Sequence, residues 1–261
     1  MAESQPIVSI VTVVLNNRAY IGDTIRSVGA QTYSPIQHVV VDGGSTDGTV
    51  DVIRAHESHF TAWISEPDCG IADAFNKGLA RTNGDYILFL NADDWLADSE
   101  AIASAMETAV ESKYPEIIFG DCDIVDRNTG RHLRRVSMKW SPTAFRFGRM
   151  VNHPAMFTHR SYFEKYGIFD TSYRIAMDFE LLLRGVFRSR VVHLPRVLTN
   201  MRSGGLSMRN RDAAVGDIIR ALKKHGVIRT RCGELCFQGY FALRGVLHPL
   251  RRRASRLLER R

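Results

Sequence analysis

Val8-Ser-Ile-Val-Thr-Val-Val-Leu15 is built almost wholly of β-branched residues, which suits a central strand buried on both faces of a sheet. Working outward from it, Ile21, Ile25 and Val28 share one side of a helix predicted over residues 20–31. His38-Val-Val-Val41 reads as a strand, residues 47–56 as a helix, Thr61-Ala-Trp-Ile64 as a short strand and residues 71–81 as a helix. Tyr86-Ile-Leu-Phe-Leu90 is the next strand, residues 99–112 the next helix and Ile117-Ile-Phe119 a fifth strand. Strand and helix alternate at spacings that fit right-handed crossovers. The first 120 residues therefore predict an α/β fold, with a Rossmann-like, mostly parallel sheet flanked by helices on both faces. Ligands of such sheets bind at the carboxyl ends of the strands.

Beyond Asp121 the alternation gives way to Arg-rich, aromatic-containing segments and a helix over residues 176–187, read as an acceptor-facing half packed on the sheet. The organisation is then one domain over 1–210, made of halves 1–120 and 121–210, and a basic helical extension, 211–261. In that extension Leu247, Leu250, Leu257 and Leu258 form an apolar stripe, either an interfacial amphipathic helix or the underside of a solvated one.

With 261 residues, 44% hydrophobic and 24% charged, the chain can bury a large core, which excludes disorder, collagen-like order and a disulfide miniprotein. Its net charge of +7 is unevenly spread. From Arg220 to Arg261 there are twelve basic residues and two acids, leaving 23 bases and 26 acids in the first 219 residues. A tail of that kind suits nucleic acid, an anionic lipid surface or an anionic acceptor. No aromatic-interleaved basic patch of the RNA-binding kind is present, so no nucleic-acid partner is expected. Cys69, Cys122, Cys232 and Cys236 form no two-pair zinc pattern and read as free thiols of a reducing compartment. The apolar run from Ile7 to Leu15 is too short for a membrane span and lacks a basic leader, giving a cytoplasmic expectation.

Asp42-Gly-Gly-Ser-Thr-Asp-Gly-Thr49 follows a predicted buried strand; its glycines permit a tight turn, Thr46 can cap the next helix, and Asp42 can accept a nucleobase N–H. A plain strand-to-helix turn is the other reading. A phosphatase nucleophile loop loses ground because its second acid is here Gly44. In Leu90-Asn-Ala-Asp-Asp94 two adjacent acids end an apolar strand, where the interior would not tolerate them unpaired. Carboxylates so placed can hold Mn²⁺ or Mg²⁺, with diphosphate oxygens and water in the remaining positions, or one of them can cap the following helix. Asp73, Asn76 and Lys77 lie on one side of a helix at i, i+3 and i+4, as a face over a ligand or a solvated face.

Taken together these segments resemble the family 2 glycosyltransferases of the GT-A fold, in the subgroup that builds bacterial surface polysaccharides and glycolipids. The resemblance is carried by the opening strand through Asn16, by Val40 to Thr49, by Ser65 to Gly78, and by Phe89-Leu-Asn-Ala-Asp-Asp94. It continues in Asn152-His-Pro-Ala-Met-Phe157 and in Phe169 to Arg184, and spans residues 7 to about 207. It implies a nucleoside-diphosphate sugar donor, a UDP-sugar first, bound by Thr12, Asn16, Asp42, Gly43, Asp73, Asn76 and Asp94. The family's metal motif often reads Asp-x-Asp, and here its first position is Asn91. Asp93 is then the first metal ligand, Asp94 the second, and Asn91 a neutral oxygen. The family's general base maps onto Asp178, which would take the proton of an acceptor hydroxyl as it attacks the anomeric carbon with inversion. A cap on its own helix or a pair with Arg174 is the alternative role for Asp178.

His153 and Glu180 are assigned to the acceptor side, and Arg202-Ser-Gly-Gly-Leu-Ser207 resembles a loop that closes over the donor. The expectation is an inverting, metal-assisted transferase acting on a glycan or lipid-linked acceptor, peripheral to the inner membrane face through residues 243–261. A nucleotidyltransferase would need a glycine-rich basic loop, and Leu15-Asn-Asn-Arg-Ala-Tyr20 has no glycine. A non-catalytic nucleic-acid-binding or scaffold protein leaves the acids at the strand ends unexplained.

Overall fold

The structure is a computed structural model and describes residues 5–242. Its elements run β1 (Val8–Val14), α1 (Ile21–Gly29), β2 (Ile36–Asp42), α2 (Thr49–Ala55), β3 (Ala62–Ser65), α3 (Ile71–Leu79) and β4 (Tyr86–Phe89). Then follow β5 (Asp94–Leu96), α4 (Ala101–Glu111), β6 (Ile117–Val125), β7 (His132–Val136), α5 (Pro142–Arg146), β8 (Met156–His159) and α6 (Arg160–Tyr166). The chain continues through α7 (Met177–Gly185), β9 (Val191–Arg202), α8 (Leu206–Arg209) and α9 (Arg211–Lys224). The strands form one sheet in the order β3-β2-β1-β4-β8-β6-β9-β5, with β7 paired to β6.

β1 is buried at all seven positions, as its β-branched composition predicts for a strand covered on both faces. β1 to β4, β6 and β9 run in one direction and β5, β7 and β8 oppose them, so the sheet is mixed but mostly parallel. The second half of the chain departs from expectation. It does not merely pack on the sheet, because β8 enters between β4 and β6 and β9 lies beyond β6. β8 has four residues and follows Pro154, too short a run to show a period. β9 is interrupted at Pro195, which has no N–H to give and falls where the register with β6 shifts.

Helices cover both faces of the sheet. On one, Val11, Val13, Val39 and Val41 pack with Phe75 and Leu79 of α3 and Phe179 and Leu182 of α7. On the other, Val8, Ile10 and Leu88 pack with Ile102 and Ala105 of α4. Gly78 lets α3 approach β1 closely, since a Cβ there would stand 2.3 Å from Val11 Cγ1. Ile219, Ala221 and Leu222 of α9 belong to the same core as α7, so the first part of the basic extension shares the body's interior. The predicted leucine stripe and the whole of 243–261 lie outside the described residues. No helix among the described residues is long and apolar enough to cross a membrane.

Candidate active site

β1, β2 and β3 end side by side, with Val14 opposite Asp42 and Asp42 opposite Ser65. Asp42 is fully buried, and its Oδ2 accepts the N–H of Gly44 at 3.1 Å, the N–H of Ser45 at 2.9 Å and the Ser65 hydroxyl at 2.7 Å. Its Oδ1 is buried without a partner. A buried acceptor left unpaired costs about 1–3 kcal/mol, which an N–H donor arriving there would recover.

Asn16 sits in the left-handed region at φ 49°, where Asn is tolerated, and braces the turn. Its N–H donates to Ser45 Oγ at 2.7 Å and its Oδ1 accepts the Thr46 N–H at 2.9 Å. A Cβ on Gly43 would meet Asp68 Oδ2 at 2.2 Å, so glycine leaves room for Asp68 against the strand end. Thr46 does not cap α2: its N-cap is Gly48, in the left-handed region and without a side-chain cap, while Asp47 just before it accepts the Thr49 N–H at 3.0 Å. Thr12 departs from its donor-side expectation. It is fully buried, with its hydroxyl 3.0 Å from His38 Nε2, and it serves the interior of the sheet. Burial, with His59 nearby, pushes the His38 imidazole down to about 3 and keeps it neutral.

The acidic corner separates into one inward and one outward carboxylate. Asp94 opens β5 and is 1% exposed, with its Oδ2 accepting the Asn91 amide N–H at 3.1 Å. Burial, reinforced by the charge of Asp93, holds the Asp94 carboxyl well above the usual range. Asp94 is therefore an interior group that the Asn91 amide braces, which corrects its assignment as donor contact and second metal ligand. Asp93 faces outward, and Arg127, just past β6, pairs with its Oδ2. Arg202, at the end of β9, donates to the Asp93 carbonyl at 2.9 Å, pairs with Asp23 and lies over the rings of Tyr20 and Trp95 at 4.3 and 4.5 Å. Neither acid caps α4, whose N-cap is Glu100.

No group of three His, Cys, Asp or Glu side chains converges as a cation cage among the described residues. Asp93 is the outward carboxylate of the corner, and with Oδ2 held by Arg127 it has Oδ1 to offer a hard divalent cation, which would draw the rest of its ligands from diphosphate and water.

The polar face of α3 is spent on the protein itself. Asp73 accepts the Cys69 N–H at 3.0 Å and pairs with Lys77, which also reaches Glu66 at 3.0 Å. The Asn76 side chain exchanges two hydrogen bonds with the backbone of Phe169, at 2.9 and 3.0 Å. Asp73 and Asn76 thus shape the loops around the strand ends.

Asp178 stands in the first turn of α7 and lines a small cavity with Phe89, His153, Tyr162 and Phe169. Phe89 ends β4, so this cavity adjoins the strand end that leads into Asp93. His153 is stacked on Phe89 at 5.7 Å; burial lowers its pKa, with the nearby Asp178 charge opposing. Among the described residues Asp178 has no ion-pair partner, so the pairing with Arg174 is not formed; Ala176 is the N-cap of α7 and gives no side-chain cap, but Asp178 Oδ1 accepts the Phe179 N–H of its own first turn at 2.7 Å, which leaves Oδ2 for another partner. Glu180 departs from the acceptor side. Its side chain is 0% exposed and held by Arg184, by Lys224 at 2.9 Å and by His225 at 2.8 Å.

Residues 9–182 match the sequence profile described as Glycosyl transferase family 2, two thirds of the chain. The chain belongs to glycosyltransferase family 2. A Mycobacterium tuberculosis protein described as an uncharacterized glycosyltransferase is 35% identical to this family 2 enzyme over 223 residues, 83% of either chain. The PGL/p-HBAD biosynthesis glycosyltransferase of Mycobacterium bovis is 28% identical over 186 residues, 69% of either chain. Among solved structures, S. aureus TarS 1–349 in complex with UDP-GlcNAc matches with a TM-score of 0.69 at 15% identity, over 90% of this chain and 71% of that one. The chain spans 42% of the longer TarS chain. The mannosyltransferase PcManGT from Pyrobaculum calidifontis, in complex with GDP-Man and Mn²⁺, matches with a TM-score of 0.65 at 18% identity, over 92% and 70%. At those identities the likeness is one of fold, which is GT-A.

Membership of the family makes the chain a nucleotide-sugar-dependent glycosyltransferase. The matched span holds Asp42, Asp93 and Asp178 and stops inside α7, before Arg202 and α9. Asp68 beside Gly43, and Tyr20, Trp95 and Arg127 around the acidic corner of this family 2 enzyme, were not expected from the sequence. Arg127 lies in an Asp126-Arg-Asn-Thr-Gly130 turn whose sequence signals only a turn. Its distance in sequence from Asp93 hides their meeting, which depends on β6 and β9 lying in one sheet.

Proposed function

We propose that this family 2 enzyme is an inverting glycosyltransferase that moves a sugar from a nucleoside-diphosphate sugar, a UDP-sugar first, to a hydroxyl of a glycan or lipid-linked acceptor. One observation carries the reading: a fully buried Asp42 with an unpartnered Oδ1 at the carboxyl end of a parallel strand, where α/β sheets take nucleotides. That oxygen matches the ring N–H of uracil or guanine. Arg127 and Arg202 offer two guanidinium groups on the same edge to the diphosphate, for which bidentate arginine is well suited.

In the transfer step the acceptor oxygen bonds to the anomeric carbon as the bond from that carbon to the diphosphate oxygen breaks. The nucleoside diphosphate leaves with the bonding pair, and Asp178 takes the acceptor proton. A single displacement inverts the anomeric centre. Asp93 and Asn91 would hold a divalent cation, which supplies charge neutralisation to the departing diphosphate. His153 and the aromatic rings about it shield Asp178 from water on the side of the core.

The PGL/p-HBAD biosynthesis named for the Mycobacterium bovis relative supports a glycolipid product, and the basic C-terminal tail supports work at the cytoplasmic face of the membrane. Calorimetric titration with UDP, GDP, ADP and CMP, with and without Mn²⁺, tests the donor reading. Binding of UDP or GDP by the wild type, at least tenfold weaker in Asp42→Ala, is the expected result. Equal affinity of the two proteins would overturn the role of Asp42.

A further inference from the structure

α9 grips the segment that delivers Asp178. The Oδ2 atom of Asp217 accepts the backbone N–H groups of Arg174, Ile175 and Ala176, at 2.9, 2.8 and 3.3 Å. These are three consecutive amides immediately before Met177, where α7 begins. Amides at the start of a helix have no intrahelical acceptor, and a run of them converging on one oxygen forms an anion-binding nest. Here the anion belongs to the protein. The Asp217 side chain is 14% exposed, and Arg220 pairs with its Oδ1 at 3.3 Å.

The neighbouring contacts act on the same segment. Arg220 also donates to the Ser172 carbonyl at 2.7 Å and covers the Tyr173 ring at 3.7 Å. Lys224 reaches Asp170 and Glu180, both at 2.9 Å, and His225 reaches Glu180 at 2.8 Å. From the other side Asn76 of α3 holds Phe169. The backbone from Phe169 to Glu180 is therefore clamped at both flanks, and Asp217 is the contact nearest to Asp178.

We propose that Asp217 is a positioning residue for catalysis: by binding the amides of 174–176 it fixes the N-terminal turn of α7 and so aims the Asp178 carboxylate at the acceptor hydroxyl. The proposal rests on Asp178 being the base. Displacing a reacting group by about 1 Å costs on the order of 10²-fold in rate, so a carboxylate that never touches substrate can act strongly on turnover. It also gives the region beyond the family match a catalytic purpose, since α9 begins where the matched residues have already ended.

The test compares full-length wild type with Asp217→Ala, Asp217→Asn, Asp178→Asn and the Asp217→Ala/Asp178→Asn double variant. Release of nucleoside diphosphate from UDP-GlcNAc or GDP-mannose with Mn²⁺, with water taking the sugar and giving its proton to Asp178 in place of the acceptor hydroxyl, reads turnover, and hydrogen exchange reads amides 174–176. Asp217→Ala should lower kcat at least tenfold with the donor KM within about twofold, while amides 174–176 exchange faster. Asp217→Asn keeps an acceptor oxygen and should recover most of both. In the Asp178→Asn background Asp217→Ala should change kcat by less than about twofold. Unchanged exchange in Asp217→Ala, or the same fold loss in both backgrounds, overturns this proposal alone. Near-normal turnover of Asp178→Asn overturns the base assignment and this proposal with it. If Asp217→Ala fails to fold, Asp217→Ser carries the same comparison.

Discussion

The guanidinium of Arg127 rests on the outward oxygen of Asp93, joining the turn after β6 to the corner after β4. The same arginine donates through Nε to the Ser203 carbonyl at 3.1 Å and covers Tyr20 at 5.0 Å. One side chain thus ties the acidic corner to the loop after β9 and brings positive charge to the edge where a diphosphate is proposed to lie.

Arg127→Gln is expected to weaken UDP or GDP binding by about tenfold, because a charge-assisted hydrogen bond to phosphate contributes about 1.5–3 kcal/mol. The folded state should also lose about 1–3 kcal/mol, since both partners are only about one-fifth exposed and the variant leaves the Asp93 carboxylate without its guanidinium. Calorimetry alongside thermal unfolding checks both. Undiminished affinity would remove Arg127 from the donor site.

Asp178→Asn should keep nucleotide affinity within about twofold while sugar transfer falls by about 10²- to 10⁴-fold, the usual contribution of a positioned base. The amide is nearly isosteric but takes up no proton. Steady-state rates with binding measured in parallel decide it, and near-normal turnover would transfer the role to another acid.

Gly78→Ala is expected to destabilise the protein by about 1–3 kcal/mol, because its methyl would enter the space of Val11 Cγ1 at 2.3 Å in a packed core. Chemical denaturation should show the loss as a lower midpoint with an unchanged slope. A midpoint equal to that of wild type would mean that α3 can retreat from β1 at no cost.

Stability should fall away in acid through the contacts between α7 and α9. Burial pushes the Glu180 carboxyl up, but hydrogen bonds from Arg184, Lys224 and His225 together bring it below the usual value. Asp170 is held well below its usual range by Ser172 first and then Lys224. Both folded pKa values are depressed, so their contribution is fully present above the unfolded value, about pH 4.5, and is lost as the pH drops through the folded ones. Glu180→Gln should cost about 3 kcal/mol at pH 7, by leaving three basic partners without their buried anion, and should flatten the acid limb. An acid limb as steep as that of wild type would place the titration elsewhere.

Removal of residues 243–261 should lower association with anionic lipid vesicles, each lost Arg near the surface contributing on the order of 1 kcal/mol. Sedimentation with vesicles at rising salt measures it. Equal binding by the shortened chain would end the lipid-anchor reading.

Most of the first half of the fold was legible because its longer strands are dominated by β-branched and apolar residues and its crossover helices have a clear apolar side, whereas three-residue β5 gave no signal. Val8–Val14, Ile71–Leu79 and Tyr86–Phe89 fall within a residue or two of their predicted bounds. β8 and β9 were not legible, one for brevity and the other because Pro195 and partly buried positions erase its alternation. At the proposed site, Asp42 and Asp93 stand out in the sequence because an acid ending an apolar strand is costly unless it is used. Thr12, Asp73, Asn76, Asp94 and Glu180 carry the same polar chemistry, yet each finds a partner inside the protein. Residue type and spacing do not reveal whether a polar atom is already satisfied.

Local pattern by itself determined that a mostly parallel sheet would form and that acids would stand at its strand ends, because burial and periodicity act over a few neighbouring residues. Only the tertiary structure decided which of those acids face outward. It also brought Arg127 to Asp93 and Asp217 to the amides before Asp178. Those contacts join residues 34 and more than 40 positions apart, and they exist only once distant strands and helices have packed.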